Sequence, residues 1–143
     1  MGYFPDSFPA VEPTLDDAKF FEHCAQRRLA FQRCAACKKL RHPPGPICPA
    51  CQSDAIEWVD APDDARIYTY TIARHPAHPA AAAVLPYNVV VVDFPSLPGV
   101  RLISNVIDAR PEQLSVGVAL ALVWDEGSNG QLLPRFRLQR PAV

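Results

Sequence analysis

Cys34-Ala35-Ala36-Cys37 and Cys48-Pro49-Ala50-Cys51 are two Cys-x2-Cys pairs with ten residues between them. A Cys-x2-Cys pair can turn tightly enough for both sulfurs to face one point. Two such knuckles supply four thiolates at the corners of a tetrahedron, a geometry zinc accepts without penalty. Four protein ligands leave no open position for water, so the spacing predicts a structural Zn2+ held by Cys34, Cys37, Cys48 and Cys51. A rubredoxin-type iron site uses the same four thiolates and is the competing metal; unmetallated thiols or a disulfide are the metal-free alternatives. The fifth cysteine, Cys24, stands apart and reads as a small core residue.

Around the cysteines the chain divides into three parts. Residues 1–28 hold Pro5, Pro9 and Pro13, read as an extended arm, and then Thr14-Leu15-Asp16-Asp17, read as the start of a helix from Leu15 to Arg27. On that helix Leu15, Ala18, Phe21, Cys24 and Ala25 would share one face. Residues 29–59 form the zinc ribbon, with short strands leading in at Leu29–Arg33 and out at Ile56–Val59. Little in this stretch looks able to build a core, so metal binding would have to supply its folding free energy. Residues 60–143 turn to repeated short strands: Arg66–Ile72, Tyr87–Phe94, Val100–Ile107, Val118–Trp124 and Leu132–Leu138. Strict alternation puts Tyr68, Tyr70 and Ile72 on one face of the first of these, and Val89–Val92 reads as a strand buried on both faces. Pro98-Gly99 and Gly127–Gly130 are turns, and Arg110–Leu114 is a short helical turn. The fold class is therefore mainly β: an N-terminal helix, a zinc ribbon, and a five-stranded Greek-key barrel of the OB type, with a small β-sandwich as the alternative.

Composition narrows the partners. The 143 residues carry a net charge of -1, and residues 60–143 hold 7 basic against 8 acidic side chains, which argues against a polyanion-binding groove. Sixteen prolines, about twice the usual share, favour short strands and shaped loops. The first residues lack a basic stretch followed by an apolar run, and no uncharged apolar run reaches the roughly 18 residues needed to span a bilayer. The expectation is a cytoplasmic protein without membrane association, in which clustered thiols are metal ligands.

Residues 27–41 hold Arg27, Arg28, Arg33, Lys38, Lys39 and Arg41 and no acid. They either balance the charge that four thiolates leave on a divalent ion or form a phosphate-binding patch for nucleic acid or coenzyme A. No nucleophile motif and no Gly-rich phosphate loop is present. His75 and His78 lie in a proline-stiffened loop that continues through Ala80–Ala83 to Leu85 and Tyr87, read as a contact loop for a partner or an acyl group. The stretch Ala80–Leu85 is either an exposed apolar patch or a short helix over the barrel mouth. His23 and His42 read as surface residues, and Asp63-Asp64 and Asp125-Glu126 as solvated turns.

The order of parts carries a resemblance. Phe20-Phe21 on a helix is followed by Leu29-x-Phe31-Gln32-Arg33-Cys34-x2-Cys37, then Pro43-x4-Cys48-Pro49-x-Cys51 and Glu57-Trp58. Ile67-Tyr68-Thr69-Tyr70-Thr71, Pro86-Tyr87 and Leu133-Pro134-Arg135-Phe136 complete the series. This resembles the acyl-CoA-associated zinc-ribbon/OB-fold family, formerly a domain of unknown function, over residues 15–139. The resemblance implies a rubredoxin-like ribbon joined to an OB barrel, the four cysteines as ligands, and a role beside thiolases and thiolase-fold aldolases. From this follows the expectation of a non-catalytic accessory subunit for a thiolase-like enzyme acting on acyl-CoA, in lipid or steroid side-chain degradation. Arg33, Lys38, Lys39 and Arg41 would be the candidates for coenzyme A phosphates, and His75, His78, Leu85 and Tyr87 for the partner or acyl contact. The alternatives are a single-stranded nucleic-acid-binding module, with Tyr68, Tyr70, Phe94 and Phe136 as stacking candidates, or a stand-alone acyl-CoA-binding protein. Arg28 and Asp64 stand where the family often has glycine, which leaves the local turns open.

Overall fold

The computed structural model describes residues 2–139. Its helix, α1, is Ala18–Ala25, shorter at its start than the expected Leu15–Arg27. Asp17 is the reason: its carboxylate accepts the N–H of Thr14 at 2.6 Å and the Thr14 hydroxyl at 3.1 Å, so residues 14–17 close as a turn. Leu15 is consequently 99% exposed and takes no part in the apolar face, which is made by Phe20, His23 and Cys24. The helix ends where Arg27 adopts a left-handed backbone (φ 57°), donating its N–H to the Cys24 carbonyl while Arg28 donates to that of His23. The glycine-like backbone therefore belongs to Arg27, not to Arg28.

Three antiparallel strands, β1 (Ala30–Cys34), β2 (Leu40–Arg41) and β3 (Ile56–Asp60), make the ribbon sheet in the order β2-β1-β3. Five more follow: β4 (Arg66–Ala73), β5 (Tyr87–Asp93), β6 (Arg101–Ser104), β7 (Leu120–Glu126) and β8 (Leu132–Leu138). They pair as β4-β5-β6 and β7-β8. Two seams join these sheets, an antiparallel bridge from Arg66 to Ala119 and a parallel one from Val106 to Phe136. The strand order is that of an OB fold, but each seam is a single bridge and not a continuous ladder, so the five strands form an open barrel.

Ile67, Val90, Val92, Leu102, Val106, Leu120 and Phe136 fill the barrel. β4 breaks the expected alternation with a bulge between Ile67 and Thr69. Tyr68 is turned out to 43% exposure under the guanidinium of Arg101, 3.8 Å from the ring centroid, while Ile67, Tyr70 and Ile72 face inward. β5 is fully buried on one face only: Val90 and Val92 are at 0% exposure, whereas Val89 and Val91 are half-buried. Pro79–Val84 forms a 3-10 helix with Ala81 buried, and Pro111–Gln113 a second, shorter one.

The ribbon does contribute to a core, contrary to the expectation from its own composition. Phe31 of β1 is fully buried and its ring lies 5.4 Å from that of Phe94, so one apolar cluster runs from α1 through the ribbon into the barrel. His42 is drawn into the same region, beside the rings of Phe20 and Phe31 at 4.9 and 5.3 Å. His23 is 8% exposed and packs on Trp58. Neither is a surface histidine. The N-terminal arm is likewise docked: the Phe4 ring stacks on Phe8 and meets Tyr87, and the Tyr3 N–H donates to Asp125 at 3.0 and 3.2 Å. Asp125 also pairs with Arg135, and Asp64 accepts the Ser96 N–H, so these acids are fixed partners as well as turn residues. Among the described residues no helix is long and apolar enough to cross a membrane.

Two measurements test this packing. Phe31→Ala should destabilise the chain by about 3–5 kcal/mol, and ribbon and barrel should still unfold in one urea transition because they share the cluster. Burial pushes the His42 imidazole down to about 4. The unfolded chain, titrating near 6.5, then takes up a proton that the folded chain refuses. Stability should fall as pH drops from about 6.5 towards 4, and the His42→Gln variant should show a flatter urea-midpoint profile over pH 7 to 5 than the parent chain.

Candidate metal centre

Cys34 ends β1 and Cys37 follows in the turn to β2; Cys48 and Cys51 lie in the loop before β3. Both pairs fold alike. The residue after each second cysteine, Lys38 or Gln52, takes a left-handed backbone (φ 67° and 64°) and returns its N–H to the carbonyl of the first cysteine at 2.9 and 2.8 Å. The first cysteine's own N–H closes on the carbonyl two residues past the knuckle, Cys34 on Lys39 and Cys48 on Ser53, each at 2.9 Å. These paired bonds are the physical content of the Cys-x2-Cys spacing.

The four sulfurs lie within 4.8 Å of one another, with Cys34 Sγ 3.5 Å from Cys51 Sγ and Cys37 Sγ 3.6 Å from Cys48 Sγ. A tetrahedral ion with bonds of about 2.3 Å sets its sulfurs about 3.8 Å apart, so the cage is already the right size. Cys34 and Cys48 are buried and Cys37 and Cys51 are exposed, the arrangement of a site at the tip of a sheet. Backbone N–H groups act first on the thiols: that of Cys51 draws Cys48 down to about 6, and that of Cys37 lowers Cys34. Cys51 moves the other way, to about 11; the Ser53 N–H lowers it, but the crowding of the other three sulfurs outweighs that effect. A cation is what allows all four to be thiolates together. The donor set fits a structural tetrathiolate centre and offers no position for substrate.

The basic stretch 27–41 meets its acids across the β1–β3 ladder, which places Arg33 opposite Glu57 and Ala30 opposite Asp60. Glu57 takes Arg33 and Lys38, each at 2.8 Å, and both hold its carboxyl below the usual range. Asp60 takes Arg28, and Arg41 binds the buried Gln32 side chain and the Gly45 carbonyl. Of the four candidates for phosphate contact, Lys39 and Arg41 have no ion pair among the described residues. Counter-charges on the second strand lay outside the 27–41 window; a Glu and an Asp in the lead-out strand were the available signal.

The loop candidates do not converge. His75 is exposed. His78 accepts the Ala80 N–H at 3.1 Å, capping the 3-10 helix, with its ring against Phe8. Leu85 is half-buried, and Tyr87 is buried against the arm. Of the four stacking candidates, Phe94 and Phe136 are buried in the core, Tyr70 packs on it, and Tyr68 is the one exposed, already stacked with Arg101.

A family model described as the rubredoxin-like zinc ribbon domain of ChsH2 matches residues 21–57, and one described as the C-terminal OB-fold domain of ChsH2 matches residues 58–125. A Thermomonospora curvata protein named probable enoyl-CoA hydratase alpha subunit is 44% identical over 135 residues, 94% of this chain; the chain spans 40% of that relative's length. A DUF35 domain-containing scaffold protein of Methanothermobacter thermautotrophicus is 24% identical over 130 residues, 87% of this chain and 96% of the relative. A chain of the solved Ltp2-ChsH2(DUF35) aldolase superposes with a TM-score of 0.78 at 42% identity, over 91% of this chain and 98% of that one. A DUF35 protein of unknown function from Sulfolobus solfataricus shares the fold, with a TM-score of 0.58 at 20% identity over 85% of this chain and 83% of that one.

Cys48→Ser should abolish stoichiometric metal in elemental analysis and open the amides of residues 34–55 to rapid exchange. Metal binding in such sites is worth on the order of 10 kcal/mol. A Cys24→Ser variant should keep its metal.

Proposed function

The chain belongs to the DUF35 family in its ChsH2 form, a ribbon followed by an OB fold, and on that premise we propose that it is a non-catalytic accessory subunit of a thiolase-fold enzyme acting on acyl-CoA. The observation that carries this reading is the match to the ChsH2 chain of an aldolase complex, which extends over nearly the whole of both chains. The archaeal relatives named as scaffold proteins point the same way. The local chemistry agrees: the one cluster of metal-binding side chains among the described residues is spent on a closed tetrathiolate site. We assign it Zn2+, since the ion has only to hold shape and the four thiolates suit zinc. The rigid surfaces that the metal and the shared core hold in place would then receive the partner, which carries the reaction. Coenzyme A contact by Lys39, with Arg33, Lys38 and Arg41 beside it, and acyl or partner contact by His75, His78 and Leu85 stay with this reading as proposals, in a cytoplasmic setting and within lipid or steroid side-chain degradation.

A second reading of the partner rests on the Thermomonospora relative, whose name makes it a hydratase subunit and whose sequence continues well beyond the part matched here. In that case the enzyme served would be an enoyl-CoA hydratase.

Co-expression with thiolase-like and hydratase-like partners decides between them. The expected result is co-elution with a thiolase-fold chain on size exclusion, and loss of that partner's solubility or acyl-CoA cleavage when this chain is omitted. Cys48→Ser should abolish the complex and the ribbon together. If both proteins are separately active and monodisperse and never co-elute, the reading is wrong.

A further inference from the structure

Arg135 is an under-partnered buried cation. Its side chain is 15% exposed, yet Nε has no hydrogen-bond partner. The nearest acid, Asp125, is 3.4 Å from Nε and already receives the Tyr3 N–H at 3.0 and 3.2 Å. Burial lowers the guanidinium's pKa, and Asp125 opposes that shift. Burying a guanidinium is unfavourable unless its donors are met, and the Nε donor, enclosed beside a carboxylate shared with Tyr3, is not.

Arg135 stands between two cavities. One, of about 80 Å³, lies beneath the N-terminal arm. The other, of about 260 Å³, is lined by residues of β6 and β8 together with α1 and the Pro43-Pro44 loop. Its walls include Phe20, Phe21, Leu102, Ile103 and Leu133. The polar residues in that wall besides Arg135 are Asp17, which is engaged by Thr14, and His42, which burial keeps neutral. The volume equals roughly eight or nine liquid water molecules, room for a short chain and far too little for a nucleotide coenzyme.

We infer that this cleft binds a small monocarboxylate with an apolar stem, the carboxylate on the Arg135 guanidinium and the stem between Phe20, Leu102 and Leu133. A bidentate carboxylate is the group the planar fork is built to meet. The ligand would touch α1, the loop after β2, β6 and β8 at once. The site is separate from the metal centre and does not rest on the accessory-subunit reading.

The test uses the full chain with its metal bound and three probes of one size: hexanoate, hexanamide and hexanol, titrated by calorimetry and amide chemical shift at fixed ionic strength. Hexanoate should bind about tenfold more tightly than hexanamide, a difference of one charge-assisted contact. Its shifts should centre on Phe20, Ile103 and residues 133–136. Arg135→Gln should erase the preference for acid over amide. Ile103→Trp, at a position 71% exposed and therefore tolerant of the larger side chain, should block the mouth and abolish binding of all three. Should Arg135→Gln fail to fold, the acid-to-amide ratio of the parent chain and the Ile103→Trp variant still decide. Equal affinity for acid and amide overturns the inference, as does no binding of hexanoate or binding unchanged in Ile103→Trp. Binding of an acid-ended peptide but not of hexanoate overturns it too and assigns the cleft to a protein partner.

Discussion

Four sulfur atoms held within 4.8 Å of one another organise the ribbon and, through it, the packing around it. Without a cation the cluster is self-opposing: backbone N–H groups draw Cys34 and Cys48 towards ionisation, and each ionised sulfur makes the next harder to ionise. With a cation, each thiolate contributes to one attraction, and the two knuckles are tied at a point between β1 and β3. Those strands then hold a fixed register, which sets Arg33 against Glu57 and presents Phe31 to the barrel. Metal binding is thereby linked to barrel stability through the apolar cluster that Phe31, with Leu40 and Trp58 beside it, shares with the barrel.

That linkage explains why the ribbon looked too poor to fold. Its own apolar content is small because its strands are covered on one side by other parts of the chain. Phe31 reaches Phe94, Trp58 packs on His23 of α1, and Gln32, buried between them in sequence, is satisfied by Arg41 and the Gly45 N–H. A segment of this size cannot enclose a core alone. It can close one that begins elsewhere, and here the cluster passes without a break from α1 to the barrel.

What the sequence made legible was what local rules determine. The Cys-x2-Cys spacing, the β-branched runs and the Gly-Ser-Asn-Gly turn led directly to the metal cage, to five barrel strands and to the hairpin between β7 and β8. What it hid depended on residues far apart. The bulge at Ile67 cannot be read from Arg66–Ile72, because alternation fits that segment equally well; only pairing with β5 adds the extra residue that turns Tyr68 outward. His42 looks polar and exposed in His42-Pro43-Pro44, and becomes half-buried because the rings of Phe20 and Phe31 pack on it. Asp125-Glu126 reads as a turn, and it is one, but Asp125 is also the anchor for an arm more than a hundred residues away.

The basic stretch before and within the ribbon shows how such long-range partners alter a functional argument. Counted along the chain, six cations without an acid suggest a surface waiting for phosphate. Counted in space, four thiolates on a divalent ion leave a net charge of about minus two, and Glu57 and Asp60 add two more across the sheet. Arg33 and Lys38 already share Glu57, and Arg28 is committed to Asp60. The six cations then face about four negative charges, and a polyanion approaching Arg28, Arg33 or Lys38 would have to compete with carboxylates already seated there.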